Sequence, residues 1–136
     1  NNFNGFANWM RAQAEEETYH AMRFLDYLVS RGGDLKIFQI DEPKLTWNSP
    51  LEVFQAALEH ERYVTASIHS LADLSAKEKD YATSIMLQWF ITEQVEEEAS
   101  VEDIVNKLEM VSDFKGAILM LDNELKSRTF TPPTSE

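Results

Sequence analysis

Glu17-x-x-His20 is the pair whose residue types and spacing point most directly to chemistry. On a helix, where each residue turns about 100°, Phe3, Phe6, Met10, Ala21, Phe24 and Leu28 fall within about 40° of Glu17. A carboxylate therefore stands in the middle of an apolar stripe, and His20 projects from the same face one turn away. An ionised carboxylate in a core is strongly disfavoured unless a cation or hydrogen-bond donors replace its lost hydration.

Two further helices repeat the arrangement. Phe54, Ala57, Leu58, Thr65, Ile68 and Ala72 form a stripe centred on Glu61, whereas Glu59 points off that face. Met86, Phe90, Val101, Ile104 and Leu108 form another, centred on Glu97. Seven residues before each glutamate stands a large apolar side chain (Met10, Phe54, Phe90), and seven after stands another (Phe24, Ile68, Ile104). Three carboxylates with the same apolar layer on either side, brought near one another, would force protonation without a cation. Glu and His suit iron, manganese or zinc, and helix bundles build dinuclear sites from such inward-facing residues. Gln94 and Glu93, each about a turn before Glu97, flank its stripe as supporting or additional ligands. Glu15 and Glu98 read as solvated members of the Glu15-Glu16-Glu17 and Glu96-Glu97-Glu98 runs, and His60 and His69 as non-ligands. No nucleophile with an adjacent base and no phosphate-binding glycine loop occurs in the sequence.

These residues need long helices to hold them. The first begins between Phe3 and Ala7 and runs to Ser30 or Arg31, where Gly32-Gly33 supplies a left-handed stop. Residues 32–49 lose helical periodicity. A connection of about 18 extended residues reaches roughly 60 Å at about 3.3 Å each, longer than the roughly 38 Å of a 25-residue helix. It can therefore act as a crossover that sets two helices parallel. Ser49-Pro50-Leu51-Glu52 opens the second helix as a capping box, which runs to about Leu74. Ser75-Ala76-Lys77-Glu78 has the same logic and is expected to open the third, to about Met110, antiparallel to the second across so short a joint. A short helix over Phe114 to Lys126, within residues 113–127, is expected with Ser112 or Asp113 as its cap. Its Ile118-Leu119-Met120-Leu121 run suggests a second buried contact such as a subunit interface, and residues 129–136 read as a tail.

The length of 136 residues and 43% apolar content fit one folded domain, here taken as residues 1–136, of all-α class. A formal charge of −12 makes nucleic acid a poor partner and suits a collector of cations. With no cysteine, disulfides and thiolate metal sites are excluded. No stretch approaches the roughly 18 apolar residues of a membrane span and no leader opens the chain, so the cytoplasm is the expected compartment.

Gly5-Phe6-Ala7-Asn8-Trp9-Met10, Gln13-Ala14-Glu15-Glu16-Glu17-x-x-His20 and Leu87-Gln88-Trp89-Phe90-x-x-Glu93-Gln94-Val95-Glu96-Glu97-Glu98 together resemble the prokaryotic non-haem ferritins. The resemblance extends to the Phe130-Thr131-Pro132-Pro133 tail. It implies a ferritin-like helical bundle whose di-iron centre oxidises Fe(II) with O2 or peroxide and whose shell, usually of 24 subunits, stores the Fe(III) mineral. By position, Glu17 resembles the carboxylate that bridges both irons, His20 the imidazole ligand of the first, and Glu61 and Glu97 the ligands of the second. Gln94 matches the glutamine beside the centre, while Glu16, Glu93 and Glu96 resemble the carboxylates that hold a third iron in some members. Zinc and other divalent ions would be substitutes. The final short helix would correspond to the one lining the four-fold axis.

Two departures matter. Bacterioferritins and rubrerythrins repeat Glu-x-x-His on the last bundle helix, whereas Glu97 is followed three residues later by Ser100, and rubredoxin-like cysteines are lacking. Family members also begin with a further helix carrying one more glutamate and a tyrosine, and the sequence starts after it. For these 136 residues alone, the expectation is a second iron position better formed than the first and a weakened ferroxidase. The competing functions are a di-metal carboxylate oxidase or peroxidase without storage, and a non-enzymatic acidic helical assembly module.

Overall fold

The computed structural model describes residues 2–111 and 114–133, which contain helices α1 (Asn4–Ser30), α2 (Pro50–Lys77), α3 (Tyr81–Met110) and α4 (Lys115–Leu125) and no strand. The all-α class follows the sequence reading, and residues 31–49 between α1 and α2 carry no helix. Contacts group the chain into two compact units, Asn1–Leu45 with Phe114–Glu136, and Thr46–Asp113.

In the first unit, α1 packs against α4. Phe3 stands at the N-cap position of α1 without a side-chain capping bond. The capping oxygen comes instead from Asp122, whose Oδ1 accepts from the N–H groups of Gly5 at 2.8 Å and Phe6 at 3.0 Å. Gly5 is required by this approach, because a Cβ there would lie 1.5 Å from the Asp122 carbonyl oxygen. Asn8 Nδ2 closes the same corner by donating to the carbonyls of Leu125, Lys126 and Arg128. The buried face of α1 carries Phe6, Trp9, Ala12, Gln13 and His20, so its centre lies closer to Trp9 than the expected stripe; Ala21 and Leu28 are exposed. At the far end Gly32, with φ +72°, lets the N–H groups of Gly32 and Gly33 return to the carbonyls of Val29 and Leu28, each at 2.9 Å.

In the second unit, α2 and α3 run antiparallel, as the cross-pairs Gln55–Glu109, Arg62–Glu102, Thr65–Glu98 and Ser75–Ser84 show. Ser49 caps α2 by accepting from Glu52 N–H at 3.2 Å, and Glu52 Oε2 in turn accepts from Asn48 N–H at 2.7 Å. The core is Phe54, Leu58, Ile68, Leu87, Phe90, Val101, Ile104, Val105 and Leu108.

The expected start of the third helix at Ser75 is corrected. α2 continues to Lys77, and the turn at Glu78, Lys79 (φ 57°) and Asp80 leads into α3 at Tyr81. The Ser75 hydroxyl is buried and donates to Ala72 O or pairs with Ser84 Oγ, both at 2.8 Å, so it does not act as a cap. Asp80 takes that place, accepting from Thr83 N–H at 3.2 Å and Thr83 Oγ1 at 2.6 Å. The other long-helix boundaries fall within the expected ranges apart from this joint. α4 is a residue shorter at each end than expected and has Phe114 at its N-cap; the alternatives Ser112 and Asp113 lie outside the described residues.

Candidate metal centre

On α1, Gln13, Glu17 and His20 lie on successive turns along one face, and they are linked in that order. Gln13 Nε2 donates to Glu17 Oε1 at 3.2 Å, while Glu17 Oε2 stands 3.5 Å from His20 Nδ1. His20 is buried, whereas the Glu17 side chain is 40% exposed. The neighbouring Glu16 turns to a different partner. Its Oε2 lies 2.7 Å from Arg128 Nη2, which also donates to Gln13 Oε1 at 2.7 Å. The guanidinium sits 4.1 Å from the centre of the Trp9 ring, and Nη1 donates to Trp9 O at 3.4 Å. Arg128, Gln13 and Glu17 thus form a polar chain in which both ends of the Gln13 amide are used. Because the guanidinium only donates, it must face the amide oxygen, which leaves the amide nitrogen for Glu17.

The α2–α3 pair holds a second set of donors. Glu61 and Glu97 are each 4% exposed and Gln94 is 3% exposed. The apolar layers expected around these carboxylates are present, with Phe54, Ile68, Phe90 and Ile104 all buried. Gln94 Nε2 donates to Glu61 O at 3.2 Å and lies 3.4 Å from Glu61 Oε2, so the glutamine ties α3 to the Glu61 turn of α2. Glu93 is half-buried, Glu96 is exposed, and Glu59, His60 and His69 face solvent. Glu98 corrects an expectation: it is half-buried and accepts from Thr65 Oγ1 at 2.6 Å, so it is not simply part of a solvated run.

Oxygen donors from carboxylates and a glutamine, with an imidazole and without thiolate, suit hard or borderline cations such as iron, manganese or zinc. Placing carboxylates among apolar layers on rigid helices limits how far they can rearrange. The arrangement therefore suits cation binding better than it suits a protein nucleophile.

Sequence reasoning missed Asp122, Arg128, Gln13 and Thr65 as parts of the supporting structure. Thr65 left a signal, being a hydroxyl one turn after Glu61 on an otherwise apolar stripe. Arg128 left none, because its partners are more than a hundred residues away in sequence.

Comparison with known proteins gives the family. The ferritin family, described as a ferritin-like domain, matches residues 1–111. A bacterial non-heme ferritin from Bacteroides fragilis is 44% identical over 126 residues, covering 93% of this chain and 78% of that protein. One from Staphylococcus aureus is 38% identical, covering 94% and 77%. An open-pore ferritin from Archaeoglobus fulgidus superposes with a TM-score of 0.92 at 48% identity, covering 94% of this chain and 79% of that one. The chain belongs to the ferritin family, within its prokaryotic non-haem group.

Proposed function

We propose that this chain, as a ferritin, stores iron and oxidises it on entry, taking Fe(II) to Fe(III) with O2 or peroxide at a di-iron centre. The observation that carries this reading is the pair Glu61 and Glu97, two buried carboxylates bracketed by apolar layers, with Gln94 hydrogen-bonded to Glu61, in a member of this family. Glu17 and His20 are the ligands on α1, with Glu17 as the bridge; Glu61, Gln94 and Glu97 are those on α2 and α3. Glu16, Glu93 and Glu96 would receive a further iron. Iron is the substrate, and the protein supplies fixed geometry and negative charge that favours the higher oxidation state. Two Fe(II) ions give up one electron each to O2, which with two protons leaves as hydrogen peroxide.

Residues 1–136 would act as one ferritin-like domain, assembling with copies of itself into a shell, on the family pattern of 24 subunits. The exposed Leu119 and Met120 of α4 are suited to such an interface. No described helix is long and apolar enough to cross a membrane, and a cytoplasmic location is proposed from the family.

Titration with Fe(II) under argon, followed by admission of O2, tests the reading. The expected result is saturable binding and rapid oxidation, both reduced at least about 10-fold in Glu61→Gln and Glu97→Gln. Binding unchanged in both variants would overturn the assignment. A sedimentation profile showing only monomer or dimer would remove the storage shell and leave a di-metal oxidase.

A further inference from the structure

The contacts around Gln94 determine more than its burial. Thr65 Oγ1 carries one proton, and Glu98 Oε1 lies 2.6 Å away. An ionised carboxylate can only accept, so that proton points at Glu98. Thr65 Oγ1 then has only lone pairs to offer Gln94 at 3.2 Å, and the Gln94 atom facing it must be the amide nitrogen. The backbone carbonyl of Glu61 imposes the same choice, since it too only accepts and stands 3.2 Å from that nitrogen. Two acceptors therefore favour the same amide orientation, which heavy-atom positions alone leave open, and the loss of either weakens the hold. Arg62 Nε, 4.0 Å from Glu98 Oε2, holds the outer end of this chain, although Arg62 is 57% exposed and contributes little by itself.

We propose that Thr65 and Glu98 are positioning residues for the metal centre: their hydrogen bond, acting with the Glu61 carbonyl, holds the Gln94 amide so that its carbonyl oxygen is the atom offered to a cation. The opposite orientation would offer an NH2 group, whose hydrogens repel a cation and whose nitrogen is a poor ligand. The inference rests on the reading of Gln94 as part of an iron site. It adds residues that make no contact with the ion and gives them a directional task. Glu98 has this role because it is an acceptor only; a neutral amide in its place could donate to Thr65, release the Thr65 proton towards Gln94, and leave the Glu61 carbonyl alone to hold the amide.

Co(II), added under argon to the full chain, is the probe, because its visible absorption reports ligand identity and geometry. Thr65→Val keeps the side-chain shape and removes the hydroxyl. It is expected to weaken Co(II) binding about 10-fold, within the range for lost supporting hydrogen bonds at metal sites, and to shift the absorption bands. Thr65→Ser should restore both. In a Gln94→Ala background Thr65→Val should change neither, since no amide remains to orient. If Thr65→Val unfolds the chain, Glu98→Gln serves instead and should move the bands with the melting temperature nearly unchanged. Wild-type spectra and affinity in Thr65→Val or Glu98→Gln, or equal effects with and without Gln94, would overturn the positioning role while leaving the site intact. Failure of the unmodified chain to bind Co(II) or Fe(II) would instead remove the metal site, and the inference with it.

Discussion

Replacing Arg128 with Ala removes the junction between the segment after α4 and the Glu16–His20 face of α1. The guanidinium makes bonds of 2.7 Å to both Gln13 Oε1 and Glu16 Oε2, and rests on Trp9 at 4.1 Å. Its side chain is 20% exposed and that of Glu16 is 16% exposed, so solvent screens the pair only in part. Hydrogen bonds to charged groups contribute roughly 1.5–3 kcal/mol each, and stacking on an indole adds about 1 kcal/mol. Water will replace some of this in the variant, and neighbouring contributions do not add. A loss of about 2–4 kcal/mol is the expectation. Arg128→Lys should recover about half, because an ammonium can stand in for the single Nη2 that reaches both oxygens but lacks the Nη1 bond to Trp9 O and the planar stacking on the Trp9 ring. Urea unfolding followed by helical circular dichroism, at one fixed protein concentration, measures both. The variant also frees the amide oxygen of Gln13, so its nitrogen is no longer held towards Glu17. Co(II) or Fe(II) binding should therefore weaken in Arg128→Ala beyond what the surviving folded fraction explains. A stability within about 0.5 kcal/mol of the parent would place the residue among ordinary surface positions and refute the reasoning. Loss of stability with intact metal affinity would confine Arg128 to architecture.

Asp122→Ala should cost about 2–4 kcal/mol, because the N–H groups of Gly5 and Phe6 lose a buried acceptor, while Asp122→Asn retains an oxygen and should cost about 1 kcal/mol. Gly5→Ala is expected to shift the α1–α4 corner and lower the melting temperature at least as far as Asp122→Ala, since no methyl fits 1.5 Å from a carbonyl oxygen. Lys79→Gly, at φ 57°, should raise stability by about 0.5–1 kcal/mol in the same urea assay; a decrease would show that the Lys79 side chain matters more than its backbone angle.

Helix periodicity made much of this fold legible, because burying Phe54, Ile68, Phe90 and Ile104 on one face leaves a repeating trace in the chain. The same trace placed Glu61 and Glu97 inside and Glu59 outside, as the structure has them. Local rules failed where two local signals competed. Ser75-x-x-Glu78 has the composition of a capping box, but Ser75 is claimed by Ser84 from the next helix and Asp80 offers the stronger cap. They failed again where an interaction leaves no local signal. Glu98 sits in an acidic run that reads as solvated, and only its facing partner Thr65 on α2 distinguishes it from Glu96. Asp122 and Arg128 illustrate the limit: each completes a hydrogen-bonding need of α1, yet nothing in their own neighbourhood announces it.

The cap on α1 also carries a consequence in time. Its acceptor lies 117 residues downstream of Gly5. At a synthesis rate of roughly 5–20 residues per second, about 6–23 s pass between the making of the helix start and the making of the oxygen that finishes it. Through that interval water must serve the N–H groups of Gly5 and Phe6, and the first turn frays. Of the four helices α1 to α4, the one made first is thus the last to be closed, and its N-terminal turn is the natural place for a protease or chaperone to find an unfinished molecule.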